Sequence, residues 1–231
     1  MSTRQRTWMI LGGALGIGAV LIFGLALRGA GNGPLAIDLW WQPIPVVSPG
    51  GIAEGIAEAM NFAGSAIGVT LFGGLFALIM LLGQRFRDAA TVVTALLIGV
   101  GSSELLKRWI ERPRPASAVL QLHDASYPSG HSMGAAALSA AIILVLASLY
   151  RANRREGLSE QAGTKLVLPI IAGVLWTTLM MWSRTALGVH WLSDTVAGTV
   201  LGLSAALIAQ GIWGASGARR GTFAQPIEPL R

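Results

Sequence analysis

The sequence contains no cysteine, which excludes disulfide frameworks, thiol nucleophiles and thiolate metal sites and leaves the redox compartment open. Charge is scarce as well: Asp, Glu, Lys and Arg make up 12% of the 231 residues against 53% hydrophobic ones, too apolar a balance for a soluble domain. The net charge of +6 does not point to nucleic acid, because the basic residues stand singly between apolar blocks and build no run or stripe. Internal repeats and low-complexity tracts are absent too. What is present is long apolar runs, and they make membrane the first hypothesis.

Runs of about 20 apolar residues are long enough to cross a bilayer as helices. Six qualify: Trp8–Leu27, Phe62–Leu82, Ala90–Ile110, Met133–Tyr150, Leu166–Trp182 and Thr195–Trp213. The first follows Arg4 and Arg6 in the manner of a secretory signal, but its core exceeds the roughly 7–15 residues of such a peptide. Leu27-Arg28-Gly29 also lacks the small residues of a cleavage site, so the run is read as a retained span. The expected fold is all-α, a polytopic membrane bundle of six transmembrane helices forming a single domain over residues 1–231.

Lys and Arg collect in the short loops on the cytoplasmic side. With the amino terminus inside, the inner segments hold Arg4, Arg6, Arg85, Arg87, Arg151, Arg154, Arg155, Lys165, Arg219, Arg220 and Arg231, leaving six of the 17 basic residues outside. Both termini are therefore expected in the cytoplasm. The outer segment from Arg28 to Asn61 carries Trp40 and Trp41, suited to the headgroup layer, and then a stretch, Ile52–Glu58, read as a short helix lying on the surface. It is a candidate interfacial lid or, equally, a tether with an aromatic anchor. Gly12-x3-Gly16 and Gly198-x3-Gly202 allow close helix approach.

Three polar clusters fall at outer span ends. The first runs from Lys107 to Pro115, where Pro113 and Pro115 stop the helix and set Arg114 on a stiff, extended stretch. Lys107 and Arg114 offer a point charge and a planar fork, the two usual ways of holding phosphate oxygens, although such residues at a span end also serve as snorkelling anchors. The second is Tyr127-Pro128-Ser129-Gly130-His131-Ser132, whose helix-start residues aim free N–H groups outward as an anion site. His131 there can protonate a leaving oxygen, or the hexapeptide is only a cap with an incidental histidine. In the third, Ser183–Asp194, the spacing of His190 and Asp194 puts both on one helix face, with Asp194 accepting the Nδ1 proton and Nε2 left as a nucleophile. The alternative is a His–Asp pair that braces a span end. Arg184 reaches the same spot from before Gly188.

Together, Lys107-x6-Arg114-Pro115, Pro128-Ser129-Gly130-His131 and Ser183-Arg184-x5-His190-x3-Asp194 resemble the three-part signature of the type 2 phosphatidic acid phosphatase superfamily, in the family's order and with every position filled. The resemblance implies a metal-independent lipid phosphatase with no cofactor. In it His190 becomes a phosphohistidine, Asp194 orients His190, and His131 protonates the leaving oxygen and then activates water. Lys107, Arg114, Arg184, Ser129 and the Gly130 N–H hold the phosphate.

It also implies an integral protein of a bacterial cytoplasmic membrane; with both termini inside, a site at the outer span ends is expected to face the periplasm or exterior. Its partners are membrane lipids and a lipid phosphate: undecaprenyl diphosphate, phosphatidylglycerophosphate or phosphatidic acid. No signal sets an oligomeric state. Arg108 and Arg112 are candidates for a second phosphate, Glu104 for a partner of Lys107, and His123 and Asp124 are read as solvated loop residues. A lipid phosphotransferase shares the intermediate, a vanadium haloperoxidase shares the constellation, and a scaffold with a degenerate site is the non-enzymatic reading.

Overall fold

A computed structural model describes residues 1–45, 47–118, 124–155 and 164–214. His123 and the basic residues Arg219, Arg220 and Arg231 lie outside the described residues. The described chain forms eight helices: α1 (Thr3–Gly29), α2 (Ala36–Trp41), α3 (Ile52–Ala63), α4 (Ala66–Leu82), α5 (Phe86–Ile110), α6 (Gly130–Arg155), α7 (Thr164–Ala186) and α8 (Leu192–Trp213).

Local signals account for the ends. Ser2 caps α1 reciprocally with Gln5, Ser65 accepts from the Gly68 N–H to start α4, and α5 stops at Glu111, whose left-handed backbone leads into Pro113. Five helices, α1, α5, α6, α7 and α8, are long and apolar enough to cross a bilayer; α3 and α4 qualify as a sixth span only together, bent by 62°. The run predicted to begin at Phe62 is thus broken: Phe62 and Ala63 end α3, and the chain turns at Gly64 and Ser65. A side chain at Gly64 would collide with Met180 of α7 and crowd the His131 ring, so a bare backbone lets this corner press onto the bundle. α4 has 17 residues and at 1.5 Å per residue reaches about 26 Å, close to the hydrocarbon thickness.

α8 is the hub, packed on α1, α5 and α6. Gly198 and Gly202 lay its backbone against Ser129, Met133 and Ala137 of the α6 region, the close approach that small residues permit. On α1 the packing pair is Gly13 and Gly16, which meet Ser204 and Ile208; Gly12 faces open space, so the spacing expected from Gly12 is one residue out of register. Leu15, Leu71, Leu97, Leu168 and Leu175 stand well exposed around the outside, as on a lipid-facing surface.

The long helices alternate in direction. The Arg6 guanidinium donates to the Gly211 and Ile212 carbonyls, joining the start of α1 to the end of α8. The carboxyl ends of α1, α5 and α7 and the amino ends of α4, α6 and α8 therefore share the opposite end of the bundle, where α2 and α3 dock. Asp38, Ala57 and Met60 of those two short helices are buried, so α2 and α3 form a packed wall of the bundle end. Of the two tryptophans, Trp40 is exposed while Trp41 donates its Nε1–H to Thr185 Oγ1.

Candidate active site

All eight residues singled out from the sequence, Lys107, Arg114, Ser129, Gly130, His131, Arg184, His190 and Asp194, stand at this one end, and hydrogen bonds tie their segments together. The Ser129 N–H donates to the Asp194 carbonyl at 3.0 Å, joining the start of α6 to α8. Arg114 Nη1 donates to the Val189 carbonyl at 2.6 Å and lies 3.3 Å from His190 Nε2, joining the strap after α5 to the loop before α8. Asn61 of α3 accepts from Arg184 Nη1 at 2.6 Å through its side chain, and its carbonyl lies 3.2 Å from His131 Nε2.

His190 is not on the helix. It precedes α8 in a loop where Gly188 has a φ of +64°, a left-handed turn that glycine adopts without strain and in which a Cβ would strike the Ser117 carbonyl. The loop fixes the tautomer. Nδ1 faces the Ser126 carbonyl at 2.8 Å, and since a carbonyl only accepts, Nδ1 carries the proton. Nε2 then offers its lone pair toward Arg114. Burial pushes the imidazole below its ordinary value of 6.5, helped by Arg114 and Arg184 and opposed by the Asp194 carboxylate. A neutral ring with a basic Nε2 among cations is the form a nucleophile needs.

The expected His190–Asp194 hydrogen bond is replaced. Asp194 Oδ2 is 3.8 Å from Nδ1, beyond hydrogen-bond reach, and accepts from the Trp191 N–H at 2.9 Å instead. Its Oδ1 takes Arg112 Nη1 at 2.6 Å. Arg112 is wholly buried, and its Nη2 donates to Asp38 Oδ2 at 2.8 Å and to the Gly33 carbonyl at 3.0 Å. The expectation that Arg112 meets a second phosphate is thereby corrected: two buried carboxylates hold it behind His190.

Lys107 pairs with Glu104 at 3.6 Å, as expected from the three-residue spacing, and more closely with Asp124 Oδ2 at 2.6 Å. Asp124 Oδ1 accepts from Arg114 Nη2 at 2.7 Å, so Asp124 is no free loop residue but a bridge between the two phosphate-binding candidates. Burial opposes its charge, yet the hydrogen bonds and positive charges of Lys107 and Arg114 prevail and hold the carboxyl at about 2.

Arg184, on the last turn of α7 and 1% exposed, also donates to Ser183 Oγ at 3.2 Å. Ser129 Oγ accepts from Ser132 Oγ at 3.2 Å and lies 3.5 Å from the Ser132 N–H at the start of α6. Three separate cavities, and not one chamber, abut this cluster. One of about 600 Å³ is lined by Lys107, Arg108, Arg114 and Asp124, and one of about 380 Å³ by His190, Gln42, Ser117 and Thr185. The third, a cleft of about 530 Å³ between α4, α5 and α6, has walls of Val69, Leu96, Leu97 and Val100 and ends at Gly130 and His131. Glu104 lines both the first and the third of these cavities, whereas the one at His190 shares no lining residue with them. Among the described residues no three His, Asp or Glu side chains are grouped as ligands for a metal ion.

The sequence reading passed over Asp38, Asn61 and Ser126. Ser126 and Asn61 act at His190 and His131 through backbone carbonyls, which carry no side-chain signature. Asp38 left one trace, a lone acid in the apolar stretch Leu35-Ala-Ile-Asp-Leu-Trp.

Comparison with known proteins bears on the same region. A model of the PAP2 superfamily matches residues 88–216. Phosphatidylglycerophosphatase B of Bacillus subtilis (strain 168) is 40% identical over 103 residues, 44% of this chain and 46% of that protein. The chain thus spans about half the length of this curated relative in the match. The fold is that of a crystal structure of a transmembrane PAP2 type phosphatidylglycerolphosphate phosphatase from Bacillus subtilis, with a TM-score of 0.67 at 22% identity over 85% of this chain and 94% of that one. Aquifex aeolicus LpxE follows with a TM-score of 0.55 at 18% identity over 76% of this chain and 95% of that one. More than half of the chain fits the family model, and the site residues fall within or beside the matched segment: the protein belongs to the PAP2 superfamily.

Proposed function

We propose that the protein is a metal-independent lipid phosphatase that hydrolyses a phosphate monoester through a phosphohistidine at His190. One observation carries this reading: the His190 imidazole is locked with Nδ1–H on the Ser126 carbonyl and an unprotonated Nε2 facing Arg114, at a bundle end where an apolar cleft reaches His131. The cleft takes the lipid chain from between α4 and α5. The phosphoryl group displaces the Asp124 carboxylate from Lys107 and Arg114, and Arg184, Ser129 and the Gly130 N–H complete its oxygen contacts. Nε2 attacks phosphorus and the bond to the lipid oxygen breaks, His131 supplying the proton to that oxygen. Water, deprotonated by His131, then attacks the phosphorus of the phosphohistidine, the P–N bond breaks, and inorganic phosphate leaves. Catalysis is mostly positioning and charge stabilisation, which three cationic side chains supply.

The substrate is a glycerophospholipid monophosphate, phosphatidylglycerophosphate or phosphatidic acid, in line with the named activity of the Bacillus relative. A diphosphate is disfavoured because Arg112 is committed to Asp38 and Asp194, leaving Arg108 alone beside Glu104 and Glu111 in the outer cavity. The excess of Lys and Arg in the opposite loops supports a site on the non-cytoplasmic side of a bacterial cytoplasmic membrane.

The test is phosphate release by purified protein in detergent from phosphatidylglycerophosphate, phosphatidic acid and a polyprenyl diphosphate, with and without EDTA, for the wild type and His190→Ala. The proposal expects EDTA-resistant release from the monophosphates and a loss on the order of 10³-fold or more in the variant, as removal of a nucleophile gives. Full activity in His190→Ala overturns the mechanism.

A further inference from the structure

Asp38 belongs to no motif, sits on a six-residue helix more than 60 positions before the signature, and is nevertheless 1% exposed within the site. Every oxygen it has is engaged. Oδ1 accepts from the Ser193 N–H at 2.8 Å; Oδ2 accepts from Ser193 Oγ at 2.9 Å, Arg112 Nη2 at 2.8 Å and the Leu35 N–H at 3.0 Å. Arg112 passes the connection on to Asp194, whose Oδ2, held by the Trp191 N–H, lies 3.8 Å from His190 Nδ1. Two carboxylates thus share one guanidinium, and the sealed trio carries one net negative charge behind the imidazole.

We infer that Asp38 is a positioning residue for phosphoryl transfer, which divides Arg112 between two carboxylates so that Asp194 keeps uncancelled negative charge directed at His190. This rests on the phosphohistidine reading above. Were Asp38 neutral, Arg112 would pair with Asp194 alone and the local charge would fall from −1 to zero. At zero exposure for both ion pairs, solvent screens this change little. The imidazole gains positive charge as Nε2 bonds to phosphorus, so the lost field acts on the transition state. Substrate contacts are untouched.

The variant Asp38→Asn keeps size and an acceptor for Ser193 while removing the charge. In detergent micelles with phosphatidic acid as the probe, the inference expects kcat to fall about 10-fold with KM within about two-fold. It also expects the acidic limb of kcat/KM to move to lower pH, since a less negative surrounding makes His190 harder to protonate. The other ionisable groups around His190, Arg114 after α5, His131 on α6, Arg184 on α7 and Asp194 on α8, are unchanged in this variant. A variant that melts earlier but retains kcat and the acidic limb makes Asp38 a strut only and overturns the inference.

If Asp38→Asn does not fold, Ser193→Ala is read in the same assay. It removes the hydroxyl that accepts from Arg112 and donates to Asp38, loosening the share of the guanidinium that Asp38 holds, and the inference expects a several-fold lower kcat at constant KM with the acidic limb moved to lower pH. Unchanged kcat there overturns it equally. A wild type that releases no phosphate from any lipid phosphate would instead overturn the phosphatase reading, so the two failures are told apart.

Discussion

Two ion clusters flank His190, built from the same parts and differing in burial. Behind the ring, Arg112 lies between Asp38 and Asp194 with all three side chains at zero exposure. In front, Asp124 lies between Lys107 and Arg114 with its own side chain half exposed. The inner cluster has two anions to one cation and the outer has two cations to one anion. A sealed ion pair is costly to break because either partner alone is a buried charge, whereas an exposed carboxylate is replaced by another anion at little cost. Burial therefore separates a fixed electrostatic frame from an exchangeable site, two residues apart in the sequence.

The largest expected effect breaks this contrast at its arginines. Arg112→Met leaves Asp38 and Asp194 facing each other without their shared cation and is expected to destabilise the fold by about 3–5 kcal/mol, seen as a large drop in melting temperature in detergent. Arg114→Met is expected to melt earlier than the wild type but well above Arg112→Met, and to lose about 10²-fold in kcat/KM, since its guanidinium reaches the proposed phosphate position. If both variants melt alike, the two clusters are not different in kind.

A smaller effect comes with pH. His190 in the folded protein is held below its ordinary 6.5 mainly by burial, so as pH falls past 6.5 the unfolded chain takes up a proton that the native ring refuses. Stability declines through that window until the folded value is passed. Asp124 works in the same direction but lower, its contribution present above 3.8 and lost as pH falls toward about 2, so it is silent at neutral pH. The proposed mechanism requires the neutral imidazole, so kcat/KM is expected to fall along an acidic limb centred below 6.5. A limb centred at or above 6.5 would contradict a buried neutral His190.

The six apolar runs were legible because length and hydropathy alone decide whether a helix spans, and every predicted run overlaps an observed helix. The break at Gly64 and Ser65 was not, because it depends on Met180 and His131 pressing against the corner from distant positions. At the site, residue types and spacing indicated which side chains gather, and the bonds were a different matter. Spacing of four placed His190 and Asp194 on one helix, but α8 begins only at Leu192, and the tautomer is set by a carbonyl, Ser126, that any residue would supply. Arg112 looked like a second phosphate ligand because burial is invisible in a short run of basic residues. What decided its role was Asp38, brought in by α2.

The mildest change sharpens the comparison most. Asp124→Asn removes the one anion of the outer cluster while keeping a side chain able to accept from Lys107 and Arg114. The carboxylate stands at the proposed phosphate position, so substrate must displace it, and its loss is expected to lower KM for phosphatidic acid and tighten competitive inhibition by inorganic phosphate about 2- to 10-fold. Melting should shift little, because a half-exposed pair contributes about 1 kcal/mol or less. The same charge removal at Asp38 is expected to act on kcat and leave KM alone. A fall in KM at one aspartate and a fall in kcat at the other would show that one cluster receives the phosphate and the other supports the histidine it bonds to; a weaker phosphate affinity in Asp124→Asn would instead make that carboxylate part of the binding site.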